Sequence, residues 1–306
     1  LRKQFMEFFR GIFHDANKNR KRSTAGIIGY ALLYILLELV MIGMFGTLAW
    51  MMCDTMVVLD LDWFYFTSMT LVAITFGTFG SLFNSYSTLY LAKDNDLLLS
   101  MPIPSSDIIL SRLLGTYLLG LMYSGTIMLP TVVVYWATAG LNFASLIGCI
   151  VLIFNVSVIV LVLSALLGWA VAKISLHIKN RNIVLTVLQL AFLGIYMVVY
   201  TNLQNIMKGF LERAVLFGLF IKASVYPLYL IGIIGTGNPV VILVSLVVTV
   251  VLAYGVYALL NRSFLNDVTA TPKTERKKYR HRKLQRNGAF TALVKKEFAH
   301  FLSSPA

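Results

Sequence analysis

Apolar residues come in long blocks, separated by short charged stretches. Residues 113–172, between Arg112 and Lys173, contain no Asp, Glu, Lys or Arg. At ~1.5 Å per residue this block makes ~90 Å of helix, enough to cross a ~30 Å hydrocarbon core twice with a turn between. Ala139-Gly140-Leu141-Asn142 is the natural hairpin. Uncharged runs also extend from Trp63 to Ala92, from Asn182 to Met207 and from Ala223 to Asn261, and Ser23 to Cys53 holds one charge, Glu38. The blocks predict six membrane helices at about 25–52, 63–91, 112–138, 144–172, 182–201 and 238–260.

The connection between the last two spans, roughly 202–237, needs separate treatment. Ala214 to Gly235 is almost wholly apolar, yet Lys222 and Pro227 would fall near the middle of a span built from it. A central charge costs ~2.5–3.5 kcal/mol on insertion scales. The stretch is therefore predicted to dip into the outer leaflet and return, which needs a covering of protein or water. The alternative is a tilted interfacial helix with Lys208 and Glu212 paired at i,i+4.

Composition agrees with a lipid environment. Hydrophobic residues make up 58% of the 306, charged residues 13%, and the mean hydropathy is +0.79. Soluble domains carry roughly 45–50% apolar and about 25% charged residues, so a soluble chain is excluded. The net charge of +13 is distributed by topology rather than gathered for nucleic acid. With six spans, 23 of the 26 Lys and Arg fall on one side and three on the other. By the positive-inside rule the basic side is the cytoplasm, where both ends of the segment lie. A seventh span would put the eleven basic residues of the C-terminal tail outside.

Four regions follow. Residues 1–22 are a basic tail whose start, LRKQFMEFFRG, gathers Phe5, Phe8 and Phe9 on one helical face, suited to the cytoplasmic interface. Residues 23–262 are the six-span domain, and 263–289 a basic cytoplasmic linker beside anionic lipid. In 290–306, Lys296-Glu297-Phe298-x-x-Phe301-Leu302 repeats the pattern Lys3-Gln4-Phe5-x-x-Phe8-Phe9. The repeat predicts a second transmembrane half, in a longer chain or supplied by a homodimer.

The most informative string joins the second and third spans: Lys93-Asp94-Asn95-Asp96-Leu97-Leu98-Leu99-Ser100-Met101-Pro102-Ile103-Pro104. Asp94 and Asn95 can cap a short helix, Asp96 complements its positive end, and Leu97 to Leu99 with Met101 form an apolar face. Pro102 and Pro104 stop it. Ser105 or Ser106 is predicted to cap the next helix, with Asp107 in its first turn. An apolar knob in water needs a cover, from its own bundle or from a partner protein.

This string, followed by IILSRLL, resembles the permease subunits of bacterial type-2 ABC exporters, particularly the large duplicated permeases of Gram-positive bacteria. The resemblance runs along the whole chain: the basic amphipathic start, six spans, the motif between spans two and three, and the membrane-dipping hairpin before span six. It implies an all-α polytopic fold in the bacterial plasma membrane. It also implies that Asp94, Asp96, Leu97, Leu98, Leu99, Pro102 and Pro104 belong to a coupling helix docked on a separate ABC ATPase subunit. Phe5, Phe8 and Phe9 would then lie on a connecting helix near that ATPase.

The chain itself has no G-x-x-x-x-G-K-[ST] string, so ATP and magnesium are expected in the partner and no cofactor here. No H-E-x-x-H, clustered Cys/His set or carboxylate pair inside a span suggests a membrane enzyme or a metal site. Glu38 is the one formal charge inside a span. It is either an ion-linked functional residue, or a glutamate facing the bundle and hydrogen-bonded to a neighbouring helix, or one that is simply protonated. Gly43, Gly46, Gly77 and Gly80 have the spacing for close helix packing. Two functions follow: the membrane half of an ATP-driven exporter or, as the alternative, an ion-coupled secondary transporter or channel using Glu38.

Overall fold

A computed structural model describes residues 13–15, 20–90, 104–177, 190–191, 193–194, 197–198, 201–269, 288, 290–291, 293–294 and 296–297. Two two-residue strands, β1 (His14–Asp15) and β2 (Arg20–Lys21), pair antiparallel within the basic tail, a ladder the sequence did not predict. The other elements are helices.

Four long helices come first. α1 (Thr24–Val58) starts where the Ser23 hydroxyl accepts the Gly26 N–H at 3.3 Å. It ends in a tight turn whose Asp60 has φ 56°, and α2 (Asp62–Tyr90) follows. α3 (Ser105–Ala139) and α4 (Phe143–His177) are joined by a three-residue turn. Gly140 has φ 86°, a region glycine enters without steric cost. The Asn142 side chain then accepts the Ala144 N–H at 3.2 Å to start α4.

Three short helices follow: α5 (Leu203–Glu212), α6 (Ala214–Ser224) and α7 (Tyr226–Thr236). The last helix, α8 (Pro239–Thr269), is capped by Asn238, whose side chain accepts the Val240 N–H at 3.1 Å. α8 continues past residue 262, so the first residues assigned to the linker are helical. The fifth expected span, 182–201, falls largely outside the described residues; those described between 190 and 201 are helical.

Among the described residues, five helices are long and apolar enough to cross a membrane, and the pair α6–α7, bent by 113°, brings the number to six if counted as one. The bend falls at Val225, between Lys222 and Pro227, where a straight span had been ruled out. At 35 residues, α1, α3 and α4 are each ~52 Å long. That exceeds a ~30 Å core, so their ends stand beyond it.

α2, α3 and α4 form a central trio; α1 lies mainly on α3, and α8 mainly on α4. A large core of Phe64, Tyr65, Phe66, Met69, Ile127, Leu152 and neighbours fills one end. A smaller one of Leu89, Ile108, Ile109, Leu113, Leu161 and Val256 fills the other. Hydroxyls inside the bundle turn back on their own helices, as Ser81 does to Gly77 and Thr131 to Ile127. Lipid offers them no other partner. Asn155 crosses between helices: its amide donates to Ser245 at 2.9 Å and its carbonyl accepts from Thr249 at 2.9 Å.

Candidate functional site

The connection singled out by its sequence lies outside the described residues, and with it Asp94, Asp96, Leu97, Leu98, Leu99 and Pro102. So do Phe5, Phe8 and Phe9. The frame that carries the connection is described in full. α2 ends at Tyr90 on one side. On the other, Pro104 is exposed and extended, with φ −62° and ψ 136°, and stands as the N-cap of α3. Its carbonyl accepts the Asp107 N–H at 3.1 Å. This corrects the expected serine cap: the helix begins directly after the proline, so Ser105 and Ser106 fall in its first turn, with Asp107 where expected.

Arg112 fastens this frame. Its guanidinium, on a residue only 3% exposed, donates from Nη1 to the Leu89 carbonyl at 3.2 Å. Leu89 is in the last turn of α2, whose carbonyls have no partner within the helix, and a cation there also meets the negative end of the helix dipole. That bond ties the start of α3 to the end of α2 on either side of residues 91–103. In the sequence, Arg112 is the first residue of the predicted third span and counts with Lys93 among the cations of the connection. The structure sets it about two turns into a helix and surrounds it with Ile108, Ile109 and Leu113.

The two helices stay together beyond this clasp. The Tyr65 hydroxyl of α2 donates to the Thr131 carbonyl of α3 at 2.9 Å, and Tyr135 donates to Asp62 Oδ2 at 3.1 Å. Gly80 backs directly onto the Tyr123 ring, and Gly77 onto Val160 and Ser124, as their spacing predicted. Gly43 meets nothing within 4 Å and Gly46 only Pro130. The packing expectation fails at Gly43, which faces open space, while Gly46 makes ordinary van der Waals contact with Pro130 of α3.

The hairpin α6–α7 covers the end opposite the clasp. A Cβ on Gly232 would run into the Trp63 carbonyl, and one on Gly148 into the Ile234 carbonyl, so α7 lies backbone to backbone against α2 and α4. Thr67 donates to the Leu228 carbonyl at 3.1 Å. Thr67 and Gly148 are each five residues inside their helices, ~8 Å below the ends. α7 thus descends beside the bundle rather than resting on top of it. Lys222 ends α6 with Nζ 5.3 Å from the Tyr229 ring, a cation–π contact that lets the hairpin carry a charge.

Glu38 sits halfway along α1 and accepts the Thr126 hydroxyl of α3 at 2.5 Å. The same hydroxyl lies 2.9 Å from the Met122 carbonyl. The bond is to a neighbouring helix, as the plainer reading of Glu38 has it, but the residue is exposed rather than turned into the bundle. Among the described residues no group of His, Cys, Asp or Glu could hold a metal ion, and Cys53 and Cys149 are buried free thiols. Arg112 and Asn155 were not singled out from the sequence, although Arg112 stands at the edge of an apolar run and Asn155 inside it, which is the signal that could have found them.

The order of long helices with a bent pair before the last one is that of a multi-pass membrane protein. A family described as membrane proteins of twelve transmembrane spans matches residues 31–304. The chain belongs to that family. No curated protein and no solved structure matches the chain. The match runs from within α1 through the connection at 91–103, the hairpin and the last helix.

Proposed function

We propose that this chain is the permease of an ATP-driven exporter, coupled through the connection at 91–103 to a separate ABC ATPase subunit. One observation carries the reading: the Arg112 bond to Leu89 makes α2 and α3 a single lever with that connection at its tip. A push on Leu97 to Leu99 would then pass into both helices together and tilt them against α4. Rocking of one bundle against another is a common route to alternating access. The bent pair before the last helix is a second point in favour, being what the resemblance to type-2 exporter permeases implies.

In this reading both ends of the segment and the 91–103 connection are cytoplasmic, in a bacterial plasma membrane. The turn at Leu59–Leu61 and the α5–α7 hairpin face outwards. ATP and magnesium are bound by the partner, and this chain has no catalytic role. A second bundle completes the pathway. The test is Leu98→Glu, which places a charge on the apolar docking face without touching a described helix. The ATPase should copurify with the unmodified chain, and the variant should lose both copurification and ATP-dependent transport while keeping its thermal stability in detergent. Normal transport by the variant would refute the coupling role.

A further inference from the structure

The two outer helices of the bundle present different surfaces. α8 turns Val240, Leu243, Val244, Val247, Val250 and Val251 outwards, a stripe that meets its first polar atom only at the Tyr254 hydroxyl one turn further on. α1 turns outwards an equally apolar stretch of Leu and Ile, but Tyr34 and Glu38 stand in it one helical turn apart, both exposed. Beside them on α3 lies Tyr123, within electrostatic reach of both Tyr34 and Glu38.

Depth makes this difference matter. Glu38 is sixteen residues from Arg22 and sixteen from Asp54, so each flanking charge is ~24 Å away along the helix. Glu38 is therefore at the middle of the hydrocarbon. Its Oε1 takes the Thr126 bond, but Oε2 and the Tyr34 and Tyr123 hydroxyls have no hydrogen bond to any described residue. Lipid tails cannot supply one, and ionisable groups at this depth face protein or water rather than acyl chains.

We propose that the α1–α3 face around Glu38 is an interface within the membrane and that its occupant is a second six-span bundle, which in a preparation of this chain alone is a second copy of it. Two observations select that occupant. The family is described with twelve spans, twice the six that the sequence predicts for this chain. The patch also carries acceptor and donors side by side: across a two-fold axis, the Glu38 carboxyl of one copy meets the Tyr34 or Tyr123 hydroxyl of the other, the self-complementarity an isologous contact requires. The inference does not depend on an ATPase partner and would survive failure of the exporter reading.

Spin labels test it in the purified chain reconstituted into phosphatidylcholine–phosphatidylglycerol vesicles. With Cys53→Ser and Cys149→Ser as background, labels go at Leu37→Cys and Met122→Cys on the proposed interface, and at Val250→Cys and Val251→Cys on α8 as lipid references. These four positions are exposed in the single bundle and none belongs to the polar cluster itself. Circular dichroism checks that each variant is folded. Collision with oxygen should be several-fold lower at Leu37 and Met122 than on α8, and collision with a water-soluble nickel chelate should also be low. Spin–spin broadening at Leu37 should disappear when labelled chain is diluted with unlabelled chain. Oxygen access equal to that of α8 would mean lipid contact, and high nickel access a water-filled path; either overturns the proposal. Low access without broadening would mean that the chain covers its own face, and overturns it equally.

Discussion

Asn155 and Arg112 show what one polar side chain can do inside lipid. Asn155 is 3% exposed and joins α4 to Ser245 and Thr249 of α8, the main polar link holding the last helix to the trio. Both hydroxyls keep a bond to their own helix when the amide is removed. Asn155→Ala should therefore cost about 1–2 kcal/mol, within the range measured for hydrogen bonds between membrane helices, and appear as a lowered unfolding temperature in detergent. Arg112→Gln should cost more, about 1.5–3 kcal/mol, because a charged bond to the Leu89 carbonyl is lost. Its more specific consequence is at the connection: limited proteolysis between α2 and α3 should become faster. Unchanged cleavage would show that the clasp does not restrain the loop.

At the level of elements, the hairpin depends on contacts too close for any side chain. α7 reaches α2 through Gly232 and α4 through Gly148. Gly232→Val should lift α7 from the bundle, which a lowered unfolding temperature in detergent relative to the unmodified chain would show. The bend itself was readable from the sequence, because Lys222 and Pro227 each oppose a straight crossing. The partner surfaces were not. Whether a glycine marks close approach depends on what lies opposite, so Gly77 and Gly80 fulfilled the expectation while Gly43, with the same spacing, faces open space. Arg112 misled for a related reason. A cation at the edge of an apolar run reads as a loop residue, and only the end of α2 lying over it shows that it is buried.

For the molecule as a whole, the lengths of the apolar blocks were enough to recover four of the long helices and the last one, since each crossing demands its own run. Orientation rests on the distribution of cations, and labelling tests it. The native thiols are buried, leaving an introduced cysteine as the reactive one. Leu59→Cys, in the turn after α1, should react with a membrane-impermeant maleimide on intact cells. Pro104→Cys, at the other end of α2–α3, should react only after permeabilisation. The reverse pattern would invert the topology and place the 91–103 connection beyond the reach of any cytoplasmic ATPase.

The three-residue turn Gly140–Asn142 has a consequence for biosynthesis. It contains no cation to retain it on the side where the chain is made, and it is too short to let α3 settle before α4 emerges. α3 carries Arg112, an internal Pro130 and several hydroxyls, and is the less apolar of the two. During translation the strongly apolar α4 should draw α3 across with it, so that the two helices enter the bilayer as one folded pin rather than one after the other.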